Sequence, residues 1–165
     1  MRTMSLKRLS ILLLAFVAFT GLTPGCYASD RYAGTKKDRD SLEETSKAIR
    51  AAFARGDLDT IMQYHHPSVI KALSKDKYLV GRDAVRADLA TALRDFNLEF
   101  TEHRVENLLF QGKTAVEEST FTITGTPRNG GASFSFKGRA MVIYIRYKKS
   151  PTGWASIREI IQPGT

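Results

Sequence analysis

Two of the chain's three histidines stand side by side in "IMQYHHPSVI" (61–70). An imidazole can hold a metal, pass a proton near neutral pH or contact a ligand. Neighbours on an extended chain point apart, so His65 and His66 cannot grip one ion together. No H-x-x-x-H or C-x-x-C spacing is present to complete a zinc site. His103, beside Glu102, is the remaining histidine, and one of the pair with His103 and a carboxylate is the single open metal arrangement. The expectation is that no metal and no cofactor is held.

A second candidate lies in "TAVEESTFTI" (114–123). If this is a strand, Ala115, Glu117, Ser119, Phe121 and Ile123 share one side. Phe121 and Ile123 mark that side as inward, which takes Glu117 and Ser119 inward too. A buried carboxylate must be paired or protonated. Glu117 is then either a general acid or base or the ion-pair partner of an arginine such as Arg158. In "AMVIYIRY" (140–147) both faces are apolar, and Tyr144 falls on the side of Ala140 and Val142. Its hydroxyl either enters a pocket or is satisfied in the core. In "WASIREI" (154–160) alternation groups Arg158 with Trp154 and Ser156, where it would favour a carboxylate-bearing ligand or pair with Glu117 or Glu102. "GTPRNGG" (125–131) lacks the Lys-Ser/Thr of a phosphate loop, and no G-x-S-x-G elbow exists. The lone cysteine, Cys26, excludes an internal disulfide and thiol catalysis in the domain.

The elements that must position these residues follow from periodicity. Ser41 and Glu44 have capping-box spacing, and Leu42, Thr45, Ile49 and Phe53 mark one helical face. Gly56 ends that helix, and Asp57 caps a short second one carrying Leu58, Ile61 and Met62. Pro67 makes His66 extended and non-helical, and a short strand is expected near 69–72 or 78–80. Asp83 is placed to cap a third helix, with Val85, Leu89, Leu93 and Phe96 along it. Beyond Asn97 the residues turn to strand formers, and "FQGKT", "TPRNGG" and "SPTG" punctuate four strands of about 98–110, 114–125, 132–147 and 154–161. Helices followed by an antiparallel meander predict an α+β domain.

At 165 residues and 42% apolar, the chain suits one domain plus appendages. Arg2, Lys7 and Arg8 precede "ILLLAFVAF" (11–19), a run shorter than the roughly 20 residues that span a bilayer. This reads as an export signal over 1–25, followed by a polar tether over 26–40. Two processing routes stay open: cleavage after Ala28, or lipidation at Cys26 after "LTPGC", which resembles a lipobox with Thr23 where Leu is preferred. The destination is periplasmic or extracellular, either free or membrane-anchored. The formal charge is +8, scattered without a dense basic run. It favours solubility and attraction to anions over nucleic-acid binding, and no nucleic-acid partner is expected.

"ARGDLDTIMQYHHPSVI", "YLVGRDAVRADL", "GKTAVEESTFTITGT" and "GWASIREI", in this order, resemble successive blocks of the nuclear transport factor 2-like superfamily, including its SnoaL-like and ketosteroid-isomerase-like branches. The resemblance spans residues 41–162. It implies three N-terminal helices packed in a curved antiparallel sheet, a cystatin-like cone whose open end is a ligand pocket, and a homodimer through the outer sheet face. It places Tyr64 on the cavity wall. Ketosteroid isomerases carry their catalytic aspartate near the position of His65 and His66, so the resemblance does not carry that mechanism over. One histidine is expected at the pocket mouth and the other in solvent. The first functional expectation is a binding domain for a small apolar or anionic organic ligand, through Tyr64, Ser119, Tyr144, Arg158 and Phe121. The alternatives are a cofactor-free isomerase, cyclase or dehydratase using Glu117, His65 and His66, and an oligomer-forming interaction domain.

Overall fold

The structure is a computed structural model and describes residues 31–164. The export segment, Cys26 and the first residues of the tether lie outside the described residues.

Helix α1 spans Lys36–Arg55, so it begins five residues before the Ser41 start that the sequence suggests. The capping box is Thr35 with Asp38: the threonine Oγ1 accepts from Asp38 N, and the aspartate carboxylate accepts from Thr35 N, each at 3.1 Å. An Asp fills the place usually scanned for Glu or Gln, which hides this cap behind the Ser41–Glu44 spacing. Residues 36–40 therefore belong to the helix, not to the tether. Tyr32 is tied down as well, its carbonyl accepting from Phe110 N at 2.8 Å. Gly56 closes α1 at φ 66°, in the left-handed region, and donates to the Ala52 and Phe53 carbonyls.

Asp57 caps α2, Leu58–Gln63, by accepting from Thr60 N at 3.0 Å. Helix α3 spans Arg82–Asp95 and starts from Gly81 at φ 85°, not from Asp83. No side chain caps it. Asp83 lies in its first turn, where a carboxylate suits the helix dipole.

Six strands form one sheet: β1 (His65–Ser74), β2 (Lys77–Val80), β3 (Phe96–Gln111), β4 (Thr114–Pro127), β5 (Phe134–Arg146) and β6 (Trp154–Pro163), in the order β2-β1-β6-β5-β4-β3. The three turn signals of the second half each join two consecutive strands. The sheet is mixed, which corrects the expectation of an all-antiparallel one: β1 and β6 run parallel. Turn residues reveal only strands joined by hairpins, and these two are far apart in sequence.

Among several register shifts in the sheet, two change which residues face the cavity. In β3, Phe100 pairs with Ile123 and Glu102 with Thr122, leaving Thr101 without a register partner. In β6, Ser156 pairs with Tyr144 and Arg158 with Ile143, leaving Ile157 extra. Each extra residue shifts the in–out alternation by one.

The helices lie in the concave side. One buried cluster gathers Leu42, Phe110, Phe121, Val142, Tyr144 and Trp154, and a second gathers Phe53, Ile61, Met62, Val69, Val85 and Leu93. A glycine at 138 leaves room for the β6 backbone and the Phe121 ring, because a Cβ would stand 2.9 Å from Gln162 O and 3.0 Å from that ring. The start of α1 is clamped to the sheet by two linked contacts. Asp38 forms an ion pair with Arg146, whose guanidinium carbon lies 3.9 Å from the centre of the Trp154 ring. Trp154 Nε1 donates to Ser41 Oγ at 3.0 Å.

Thr35→Ala removes half of the capping box and is expected to cost about 1 kcal/mol. Glu44→Ala, on an exposed turn, should change stability by less than about 0.5 kcal/mol. Urea unfolding of both variants checks which residues start the helix.

Candidate functional site

Between the helices and the concave face lies a cavity of about 230 Å³ with a predominantly apolar wall. Leu73, Leu79, Leu89, Phe100, Phe121 and Val142 are among its lining residues. An apolar cavity of about 150 Å³ already holds a benzene-sized guest.

Glu117 projects into this cavity from near the start of β4, and the residue is 4% exposed. Its partner is His103, with Nε2 3.5 Å from Oε1. His103 Nδ1 lies 3.2 Å from Arg50 Nη1, and Arg50 also donates to Ser46 Oγ. A guanidinium can only donate, so His103 Nδ1 accepts and the ring proton sits on Nε2, aimed at Glu117. The result is a line from Ser46 and Arg50 on α1, through His103 on β3, to Glu117 on β4.

Tyr144 and Ser119 share the wall. Burial, then the Glu117 and Glu159 carboxylates, push the Tyr144 phenol well above its ordinary range, with Arg50 opposing, so it stays a donor at any physiological pH. Among the described residues, Ser150 Oγ is the single side-chain polar atom both sealed from solvent and without a partner. The free oxygens of Glu117 and Tyr144 therefore border open cavity space.

A second polar group lies on the same wall. Lys71 on β1 and Glu159 on β6 form an ion pair at 2.6 Å, with side chains 9% and 17% exposed. His65 lines the cavity close by; its Nδ1 donates to Ile61 O at 2.9 Å. Burial first, then the Lys71 cation, lowers the His65 pKa to about 3. It is a neutral imidazole, with Nε2 left as an acceptor.

The structure brings Glu117, His65, Ser119, Phe121 and Tyr144 to one cavity. Three other expected residues are elsewhere. His66 points the other way from His65, as neighbours on a strand must; its ring packs edge-on against Tyr147 and its Nδ1 accepts from Ser68 N at 3.1 Å. Tyr64 is buried beside the cavity, not on its wall, because it ends α2, where its carbonyl accepts from Ser156 N at 2.9 Å. Arg158 is exposed and donates to Ser68 O and Ile157 O. The β6 bulge turns Glu159 inward in its place, so no Arg158–Glu117 pair forms.

Sequence reasoning left out Arg50, Lys71 and Glu159, and it considered His103 only as a metal ligand. The β3 bulge puts His103 inside where simple alternation from Phe100 would put Glu102. Lys71 was legible, because Val69, Lys71 and Leu73 alternate in step with His65. Among the described residues, no group of three or more His, Cys, Asp or Glu is arranged to hold a metal ion.

The family profile described as "SnoaL-like domain" matches residues 47–147. The chain belongs to the SnoaL-like family. That match takes in most of the cavity wall, from Arg50 to Tyr144. No curated protein matches this SnoaL-like chain. Solved structures share its fold at low identity. A conserved protein from Planctomyces limnophilus DSM 3776 is 19% identical with a TM-score of 0.69, over 77% of this chain and 98% of that one. A ketosteroid isomerase-like protein from Erwinia carotovora atroseptica SCRI1043 is 13% identical with a TM-score of 0.65, over 79% and 99%. A nuclear transport factor 2-like superfamily protein from Salmonella enterica serovar Typhimurium LT2 is 15% identical with a TM-score of 0.61, over 78% and 91%. The SnoaL-like domain is thus a nuclear transport factor 2-like cone.

The low His65 pKa makes stability depend on pH. Unfolding releases this imidazole to its ordinary pKa of about 6.5. Between pH 6.5 and about 3 the unfolded chain therefore binds more protons at this site than the folded one, and stability falls as the pH is lowered. Each pH unit in that window costs about 1.4 kcal/mol. From pH 6.5 to pH 5 the natural chain should lose about 2 kcal/mol more than His65→Asn, whose amide can still donate to Ile61 O. Urea unfolding at the two pH values measures the difference.

Proposed function

We propose that this SnoaL-like domain binds a small, largely apolar organic molecule inside the cone and moves a proton on it, as cofactor-free isomerases, cyclases and dehydratases do. The observation that carries the reading is the buried Glu117 carboxylate, held 3.5 Å from His103 at the edge of an apolar cavity. The notable change from the sequence reading is the histidine: His103 takes the place beside Glu117 that His65 or His66 was expected to fill.

The chemistry follows from the hydrogen positions. Glu117 is the acceptor for a proton taken from the ligand, because His103 already presents its own Nε2–H to it. Arg50 fixes that tautomer from behind. Tyr144, held in its neutral form, can donate to charge that develops on a ligand oxygen. Glu117 can then return the proton to a second ligand atom, which is an isomerisation, or to a departing hydroxyl, which is a dehydration. The apolar remainder of the wall keeps water away from these steps.

Two further aspects belong to the same reading. The basic start and short apolar run support action outside the cytoplasm. Met141 and Ile160, register partners on the outer sheet face and 39% and 56% exposed, support self-association through that face.

Incubating the chain with 1-tetralone in D₂O, and following deuterium entry at the carbon next to the carbonyl by mass spectrometry, tests the chemistry. The natural chain should accelerate exchange, and Glu117→Gln should reduce the acceleration at least about 100-fold while tetralone affinity stays within about threefold. Ala140→Phe, which fills the cavity from β5, should abolish binding with the fold intact by circular dichroism. Binding with no exchange in the natural chain would reduce the function to ligand capture.

A further inference from the structure

The cavity has two polar ends, and the Glu117 end accounts for only one. Register partners run in an unbroken row across four strands: Glu117 on β4 faces Val142 on β5, Val142 faces Glu159 on β6, and Glu159 faces Lys71 on β1. All four line the cavity. Adjacent strands lie about 4.8 Å apart, so the Glu117 and Glu159 backbones are separated by roughly 10 Å, with apolar Val142 between.

We infer that Lys71 and Glu159 form a second recognition pole, and that the cavity selects an uncharged ligand with an acceptor oxygen, such as a ketone. The inference rests on the ligand-binding reading above and adds the class of ligand. An ammonium has three donors. Glu159 takes one, at 2.6 Å, and no other described group accepts from Lys71 Nζ. At least one donor is therefore free to meet a guest in a largely apolar wall. His65, a neutral ring with an open Nε2, and the Tyr144 hydroxyl flank this end.

Charge decides against an ionic guest. On the wall, the Arg50 and Lys71 cations balance the Glu117 and Glu159 carboxylates, and Asp88 is offset by Lys77 at 2.5 Å. A carboxylate ligand would add an unbalanced charge to an apolar space at high desolvation cost. A carbonyl oxygen accepts from Lys71 without doing so. The alternative occupation of Lys71, as a strut between the two parallel strands β1 and β6, predicts effects on stability and none on ligand choice.

Isothermal titration of the full chain with tetralin, 1-tetralone and 1-naphthoate separates these cases. The natural chain should bind 1-tetralone about tenfold more tightly than tetralin, and 1-naphthoate more weakly than 1-tetralone. Lys71→Met alone strands Glu159 and risks the fold, so the decisive variant is Lys71→Met with Glu159→Leu, which removes both charges together. In that double variant the ketone advantage should shrink to less than about twofold while tetralin binds at least as well. A ketone advantage that survives the double substitution, or a natural chain that prefers 1-naphthoate, overturns the second pole. Failure of all three probes to bind the natural chain overturns the ligand-binding reading with it. A normal ketone preference without deuterium exchange supports the second pole and defeats only the proton-transfer chemistry.

Discussion

A carboxylate cannot be left alone in an apolar hollow. Taking an ion out of water costs several kcal/mol unless a partner and hydrogen bonds compensate. This sheet sends two carboxylates, Glu117 and Glu159, into one cavity, and much of the surrounding architecture answers that demand. His103 and Arg50 are brought to Glu117 by β3 and α1, and Lys71 is brought to Glu159 by the parallel pairing of β1 with β6. Remove one member of the Lys71–Glu159 pair and the other becomes an uncompensated charge, a loss of about 3–5 kcal/mol. The cavity walls are therefore fixed by polar bookkeeping as much as by packing.

The two pairs are not equivalent. Lys71–Glu159 is short and its cation stays donor-rich, which suits holding an oxygen still. His103–Glu117 is longer, and its imidazole is oriented from the far side by a guanidinium that cannot accept. That arrangement leaves the carboxylate as the acceptor of the site. Between them Val142 and the aromatic wall make up the apolar part of the cavity lining. Fold alone does not set function, so any chemistry of this cone has to come from the few polar side chains on its cavity wall.

Both poles depend on bulges. Without the extra residue near Thr101, the strand that buries Phe100 would bury Glu102 and turn His103 out. Without the one at Ile157, the strand that buries Ser156 would bury Arg158 and expose Glu159. A single inserted residue reverses every later side chain on a strand. A bulge also bends its strand, so one local irregularity can both shape a cavity and choose its lining.

The sequence by itself determined the three helices to within a few residues, the four strands of the second half and much of one wall. Periodicity and turn chemistry fixed the helix stop at Gly56, the Asp57 cap, the three hairpins of the second half and the inward set Glu117, Ser119 and Phe121, because these follow from spacing within one segment. It also implied the family, through blocks that recur in order. Tertiary structure alone decided which partners meet. The parallel β1–β6 contact joins segments with no turn between them, and the bulges are register facts that exist only once two strands are paired. His65 over His66, His103 over Glu102 and Glu159 over Arg158 were settled there, since a strand's alternation says which residues share a face but not where the neighbouring strand will interrupt it.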